Sequence, residues 1–575
     1  MTVESAYDDR PWLATYPDDV PADFDFPQVP LTRLLDDAAA EFPSAVAITA
    51  GAARVRYAEL LDRVNRLAGG LAGLGVGHGD RVALVLPNCP QYVEAFFAVL
   101  RLGATVVQCN PLATADEMRR QLVDAQPVAA VCLDKSVGIV EAARADSGTR
   151  AVVVTSLVDY LPTAERLRLR LPLPSARAAR RRLLAPVPDS AGVHRYRDLL
   201  SAAPARQQSV DPVRDAAVLQ YTGGTSGIAK GAMLSHANLV ANAYQMRLWL
   251  PEVTSGGEST LVVLPLFHVY GLTLCLLTSV LLAGRLILLP RFDVTDVLDT
   301  IEREQPTLMP GVPPIYQAIA DSLRAKRRDL SSIRTCVSGA MRLPVEVQER
   351  FEALSGATLV EGYGTTESSP ATHCNPVRGG RKPGSVGVPL PGTDARIVDP
   401  GEPGTVLPPG TVGELAVKGP QVFLGYRHAA DVDEAAADDQ ALLPGGWLLT
   451  GDLAQMDADG FFTIVDRKKD LIIAGGFNIY PAEVEAVIEG LDGVAEVCVI
   501  GLPDRYRGET VKAYVVATDG ATLTADGVRD HCATLLSAYK VPREVEFRDE
   551  LPRTVVGKAL RRLLVAEELA KAGQV

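Results

Sequence analysis

Short β-rich apolar runs that alternate with helical ones constrain the fold of this chain more than any other feature. Leu60, Val64, Leu67 and Leu71 recur at the spacing of one helical face. After the turn residues Gly77, His78 and Gly79 comes the run RVALVL, Arg81 to Leu86. A helical stretch near Gln91 to Leu102, the strand pattern ATVVQC and a helix opened by Thr114 and Glu117 at capping-box spacing follow. Strands separated by helices pair in parallel and are covered on both faces, so the pattern predicts an α/β fold with sheets sandwiched by helices. At 575 residues the chain exceeds one ordinary core. A large N-terminal domain of several subdomains and a small α+β C-terminal domain are expected.

Composition narrows the function. Fifty-seven basic against 70 acidic side chains give a formal charge of −13, which argues against a general nucleic-acid binder. The eight cysteines are scattered without a C-x-x-C pair and read as reduced, mostly buried side chains. The N-terminus MTVESAYDDR lacks a basic region followed by an apolar one, so a cytoplasmic protein is expected. No charged residue occurs from Ser259 to Gly284, but Pro265, His268 and Gly271 interrupt the stretch. The remaining apolar helix of roughly 13 residues is too short to span a bilayer and reads as buried core.

Between Ala164 and Asp189 seven arginines, Arg166, Arg168, Arg170, Arg177, Arg180, Arg181 and Arg182, are mixed with leucines and prolines. A solvated surface excursion explains them, and so does a peripheral contact of residues 165–184 with anionic lipid at the inner face of a membrane. Pro172 and Pro174 exclude one long amphipathic helix. The clearest domain boundary is the charged run Asp466 to Asp470, DRKKD. It divides a large domain, 1–466, from a hinge, 467–470, and a small domain, 471–575, with a helix from Pro481 and strands in AEVCVIGLP and KAYVVAT.

The segment Tyr221 to Ala232, YTGGTSGIAKGA, follows the strand-like run AAVLQ and precedes a helical stretch near Ser235. Gly223, Gly224 and Gly227 allow close backbone approach to an anion, Thr222, Thr225 and Ser226 supply hydroxyls, and Lys230 supplies charge. This is a phosphate cradle. It is not a Walker A loop, because Ala229 and Gly231 flank the lysine.

With Glu361-Gly362-Tyr363-Gly364-Thr365-Thr366-Glu367, the GWLLTGD block ending at Asp452, the DRKKD run and PRTVVGK ending at Lys558, the chain resembles the adenylate-forming enzymes. That superfamily includes acyl-CoA synthetases, luciferases and peptide-synthetase adenylation domains. Similarity extends from about Leu31 to Arg562, with the five blocks in the family's order. Gly224 and Ser226 stand where Ser and Thr variants are frequent, and Ala229 where Pro is frequent. The paired glycines and Ala229 look like the bacterial long-chain fatty acid:CoA ligase branch.

The resemblance implies an ATP-dependent ligase that converts a medium- to long-chain fatty acid to acyl-AMP and then to acyl-CoA. An aryl or short-chain acid, or a carrier protein as acceptor, remains the alternative. Under the same resemblance Glu367 and Thr222 ligate Mg²⁺, Thr366 meets the α-phosphate and Tyr363 lies against adenine, with Glu361, Gly362 and Gly339 lining the pocket. Asp452 and Arg467 hold the ribose, His268 positions the acid, and Lys558 bridges carboxylate and α-phosphate. A rotation about Lys469 then brings Gly475 and Gly476 to the CoA tunnel. ATP, Mg²⁺ and CoA are the implied cofactor and co-substrates, and a homodimer is admitted.

Overall fold

The computed structural model describes residues 5–161, 163–222, 230–250, 252–325, 328–427, 441–474, 477–504, 507–553 and 559–571. They form two compact units. One comprises 15–393 and 418–448, the other 1–14, 394–417 and 449–575.

The larger unit is built on two mixed sheets. In the first, Arg81–Val85, Thr105–Gln108, Ala129–Leu133, Ala151–Thr155 and Ala216–Thr222 pair in parallel, as the alternating sequence requires. The helix Ala115–Ala125 carries the expected capping box: Thr114 and Glu117 exchange side-chain and backbone hydrogen bonds. The second sheet has a parallel centre of Val46–Ala50, Arg285–Leu288, Ser259–Val262, Leu308–Gly311, Thr335–Ser338 and Thr358–Gly364, with antiparallel strands at both edges. Asn88, buried after the strand Arg81–Val85, joins the sheets. Its amide donates to the carbonyls of Val262, Leu264 and Leu289 and accepts from the Leu266 N–H.

The uncharged stretch is core, as its interruptions predict. It forms the strand Ser259–Val262, a π-helical segment Gly271–Leu277 and a last helical turn Thr278–Leu281. The π geometry is held by side chains, with Thr278 Oγ1 donating to the Thr273 carbonyl at 2.9 Å and Thr273 Oγ1 to the Ser369 carbonyl at 2.6 Å. Among the described residues no helix is long and apolar enough to cross a membrane.

In the smaller unit Gly508–Ala517 pairs antiparallel with Val494–Asp504 and Ile472–Ala474, and parallel with Glu544–Phe547. Pro481 opens the helix Pro481–Glu489. Ile479, Val484, Ile488, Val499, Val511 and Val528 fill one core, and Cys498, Ile500, Tyr514, Leu551 and Leu564 form another. This is the α+β body expected after the charged run. All eight cysteines are buried and free.

Candidate active site

The predicted residues of the larger unit gather at the carboxyl ends of neighbouring parallel strands, where open α/β sheets take their ligands. His268 and Tyr270 follow Ser259–Val262, Gly339 follows Thr335–Ser338, and Glu361, Gly362 and Tyr363 close Thr358–Gly364. Gly339 has no room for a side chain, since a Cβ would lie 3.0 Å from the Tyr270 ring. Gly364 is under a harder limit: a Cβ there would lie 1.7 Å from the Pro370 carbonyl oxygen. That approach folds the chain back so that Thr366 and Glu367 stand in the short turn Thr366–Ser368, tied by Thr365 N–H to Ser368 Oγ at 3.0 Å.

Two described strands flank the glycine-rich segment. Ala216–Thr222 pairs antiparallel with Lys230–Ser235, and only then does the helix His236–Trp249 begin, capped reciprocally by Ser235 and Asn238. Gly223, Gly224, Thr225, Ser226 and Gly227 lie outside the described residues, as does the side chain of Thr222. Lys230 opens the return strand, and the far side of that strand is paired by Tyr426–Arg427.

This pairing brings in a residue that sequence reasoning missed. The Tyr426 hydroxyl donates to Glu367 Oε1 at 2.5 Å, and the Lys230 ammonium lies over the Tyr426 ring, 5.5 Å from its centroid. The backbone is stitched at the same place, where Phe423 N–H donates to the Glu367 carbonyl at 2.8 Å. Burial and the negative charge of Glu367 push the Tyr426 phenol well above its ordinary value, so it remains a donor. A loop lysine and an acidic turn, distant in sequence, thus share one tyrosine. No local pattern in FLGYR announces this, because it depends on strand pairing across the chain.

His268 is partly buried, and burial lowers its imidazole to about 4, so it is neutral near pH 7. Its Nδ1 accepts the Tyr270 N–H at 3.3 Å, which leaves the proton on Nε2. A neutral imidazole suits a positioning group. Tyr270 in turn bonds the carbonyls of Gly311 and Val337 at 3.0 and 2.9 Å. A narrow apolar cavity is lined by Met246, Leu250, Leu274, Thr278, Leu308 and Val337.

In the smaller unit Asp452 pairs with Arg467 at 3.3 Å, on facing strands. The charged run is held from both directions. Lys468 pairs with Glu414 at 2.8 Å, Asp466 accepts the Ala482 N–H at the start of the helix Pro481–Glu489, and Asp470 meets Arg561 at 3.3 Å. Arg561 is itself locked to both oxygens of Glu485. Lys469, exposed, lies between these ties. Gly475, Gly476 and Lys558 lie outside the described residues.

The fold and the gathered residues define a two-unit α/β protein in which Lys230 and an acidic turn share one tyrosine, with a small α+β body after a charged run. A family model described as AMP-binding enzyme matches residues 35–427, and one described as AMP-binding enzyme C-terminal domain matches 483–558. The chain belongs to the AMP-binding enzyme family. It is 42% identical to a long-chain-fatty-acid–CoA ligase of Bacillus subtilis (strain 168), over 97% of this chain and 98% of that protein. A ligase of the same name from Yersinia pestis is 39% identical, with 98% of each chain covered. Among solved structures, ATP-bound MatB from Rhodopseudomonas palustris superposes with a TM-score of 0.81 at 31% identity, covering 95% of this chain and 99% of that one.

Proposed function

We propose that this protein is an ATP-dependent fatty acid:CoA ligase. A carboxylate oxygen of a medium- to long-chain acid attacks the α-phosphorus of ATP, forming acyl-AMP as pyrophosphate leaves. The CoA thiol, losing its proton, then attacks the acyl carbon and AMP departs. The observation that carries this reading is end-to-end similarity to ligases named for long-chain fatty acids. The apolar character of the buried run Leu261 to Leu282 supports it, since an alkyl chain needs apolar walls.

The roles follow from the family resemblance and the chemistry of the residues. The glycine-rich segment and Lys230 hold phosphates, Tyr363 borders the adenine and Gly339 the adenine or acyl pocket, and Asp452 with Arg467 holds the ribose. Glu367 fits Mg²⁺ as a hard oxygen donor already oriented by Tyr426, with Thr222 as second ligand. When bound, the ion neutralises phosphate oxygens. The division at 466, the pivot at Lys469 and delivery of Lys558 by the small domain belong to the same proposal. So do a cytoplasmic location, a peripheral lipid contact through 165–184 and a homodimer.

Carboxylate-dependent ATP–pyrophosphate exchange across an acid panel, followed by thioester formation with CoA, tests the reading. Exchange should peak with medium to long alkyl acids. A peak with aryl or short acids would replace the substrate, exchange without thioester would indicate a carrier-protein acceptor, and absence of exchange would remove the activity. Lys558→Ala should abolish exchange yet keep thioester formation from supplied acyl-AMP. Equal loss of both would contradict the rotation.

A further inference from the structure

The arginine-rich excursion folds as two short packed helices, Thr163–Arg170 and Pro174–Leu183, joined by an exposed tip. Leu169 and Ala176 point inward, at 9% and 5% exposure, while Leu167, Leu171 and Leu173 are 56%, 45% and 50% exposed. Three leucines facing water around one turn are costly unless they meet something apolar. Around them stand the exposed Arg168, Arg170, Arg177 and Arg181, and Glu165 is the lone carboxylate between residues 164 and 188.

The tip also hides its backbone. Leu171 N–H donates to the Arg168 carbonyl at 3.2 Å, and Pro172 and Pro174 have no N–H. Entering hydrocarbon is costly chiefly for unsatisfied backbone donors, and this turn presents few. Nucleic acid or an acidic protein would explain the arginines but leave the leucines and the masked backbone without use.

The excursion is fixed at its stem. Tyr160, where it leaves the body, and Tyr196, where it returns, donate to the two oxygens of buried Glu94, the latter at 2.6 Å. Arg63 lies 3.6 Å from the same carboxylate and 5.2 Å from the Tyr160 ring centroid. A single buried carboxylate on the helix Pro90–Arg101 therefore clamps both ends, so a load on the tip is borne by that helix rather than by a floppy loop.

We propose that residues 163–183 are an interfacial anchor for an anionic bilayer, with Leu171 and Leu173 entering the acyl region and the surrounding arginines pairing with lipid phosphates. This deepens the ligase reading, because a long-chain acid partitions into bilayers.

Flotation of the full chain with phosphatidylglycerol–phosphatidylethanolamine vesicles tests it against phosphatidylcholine vesicles and heparin. The wild type should float with the anionic vesicles alone. Leu171→Asp/Leu173→Asp and, separately, Arg168→Glu/Arg170→Glu/Arg177→Glu/Arg181→Glu should each cut the bound fraction at least fivefold, with octanoate-dependent exchange unchanged. Flotation indifferent to either set would overturn the anchor. So would a leucine variant that still floats, with heparin bound as tightly, since that marks a general polyanion surface. Flotation without exchange by any acid would sink the ligase reading and leave the anchor standing.

Discussion

Two carboxylates six positions apart in EGYGTTE meet opposite environments. Glu361 is 5% exposed, and burial raises its carboxyl to about 8, against the weaker pull of the Leu343 N–H and Arg342. Its Oε2 has no hydrogen-bond partner among the described residues. Glu367 is only partly buried and accepts the Tyr426 hydroxyl. The backbone reversal at Gly364 separates them, carrying one side chain into the core and the other to Tyr426. The same residue type in one motif is thus a core group held protonated by burial at one position and a carboxylate oriented by a tyrosine at the other.

The largest effect should come from removing the charge of Glu367. Glu367→Gln keeps an oxygen for Tyr426 but removes the charge that the proposed Mg²⁺ role requires, and under that proposal pyrophosphate exchange should fall by about two orders of magnitude or more. Melting temperature should hardly move. Glu361→Gln, replacing a group already neutral, should leave exchange within about threefold, because nothing charged is lost. Equal losses in the two variants would erase the contrast. Tyr426→Phe lies between them: loss of one charge-assisted hydrogen bond should lower exchange roughly tenfold, and the Mg²⁺ concentration for half-maximal exchange should rise. An unchanged Mg²⁺ dependence would reduce Tyr426 to packing.

How much of this was legible in sequence depended on how local the determinant was. The capping box at Thr114 and Glu117, the helix from Pro481 and the buried stretch after Ser259 are set by neighbours in the chain, and pattern alone located them. The strand Lys230–Ser235 was not read, because KGAMLS lacks alternation and is fixed by partners at Ala216–Thr222 and Tyr426–Arg427. The π segment Gly271–Leu277 was expected as ordinary helix; its geometry depends on Thr273 reaching Ser369, a contact no periodicity encodes. Glu361 and Glu367 were both singled out from their motif, yet their opposite states follow from burial and from Tyr426.

The smallest expected effect, and the one most specific to the comparison, is on stability against pH. Glu361 has a folded value of about 8 against an ordinary 4.5. Between those limits the folded state holds a proton that the unfolded chain has released, so its contribution is complete below pH 4.5 and is lost as pH rises through 8. The slope from this group approaches about 1.4 kcal/mol per pH unit at its steepest. Buried His236 and His268, both lowered to about 4, act on the acid side, because the unfolded chain takes up their protons as pH falls below 6.5. Stability should therefore peak near pH 6 to 7 and decline in both directions. In Glu361→Gln the alkaline decline should flatten between pH 6.5 and 8 and the rise between pH 4.5 and 6.5 should steepen, as read from melting temperatures at matched ionic strength. An alkaline limb as steep as that of the wild type would mean that Glu361 is ionised in the folded protein and that the two carboxylates of EGYGTTE differ in place but not in charge.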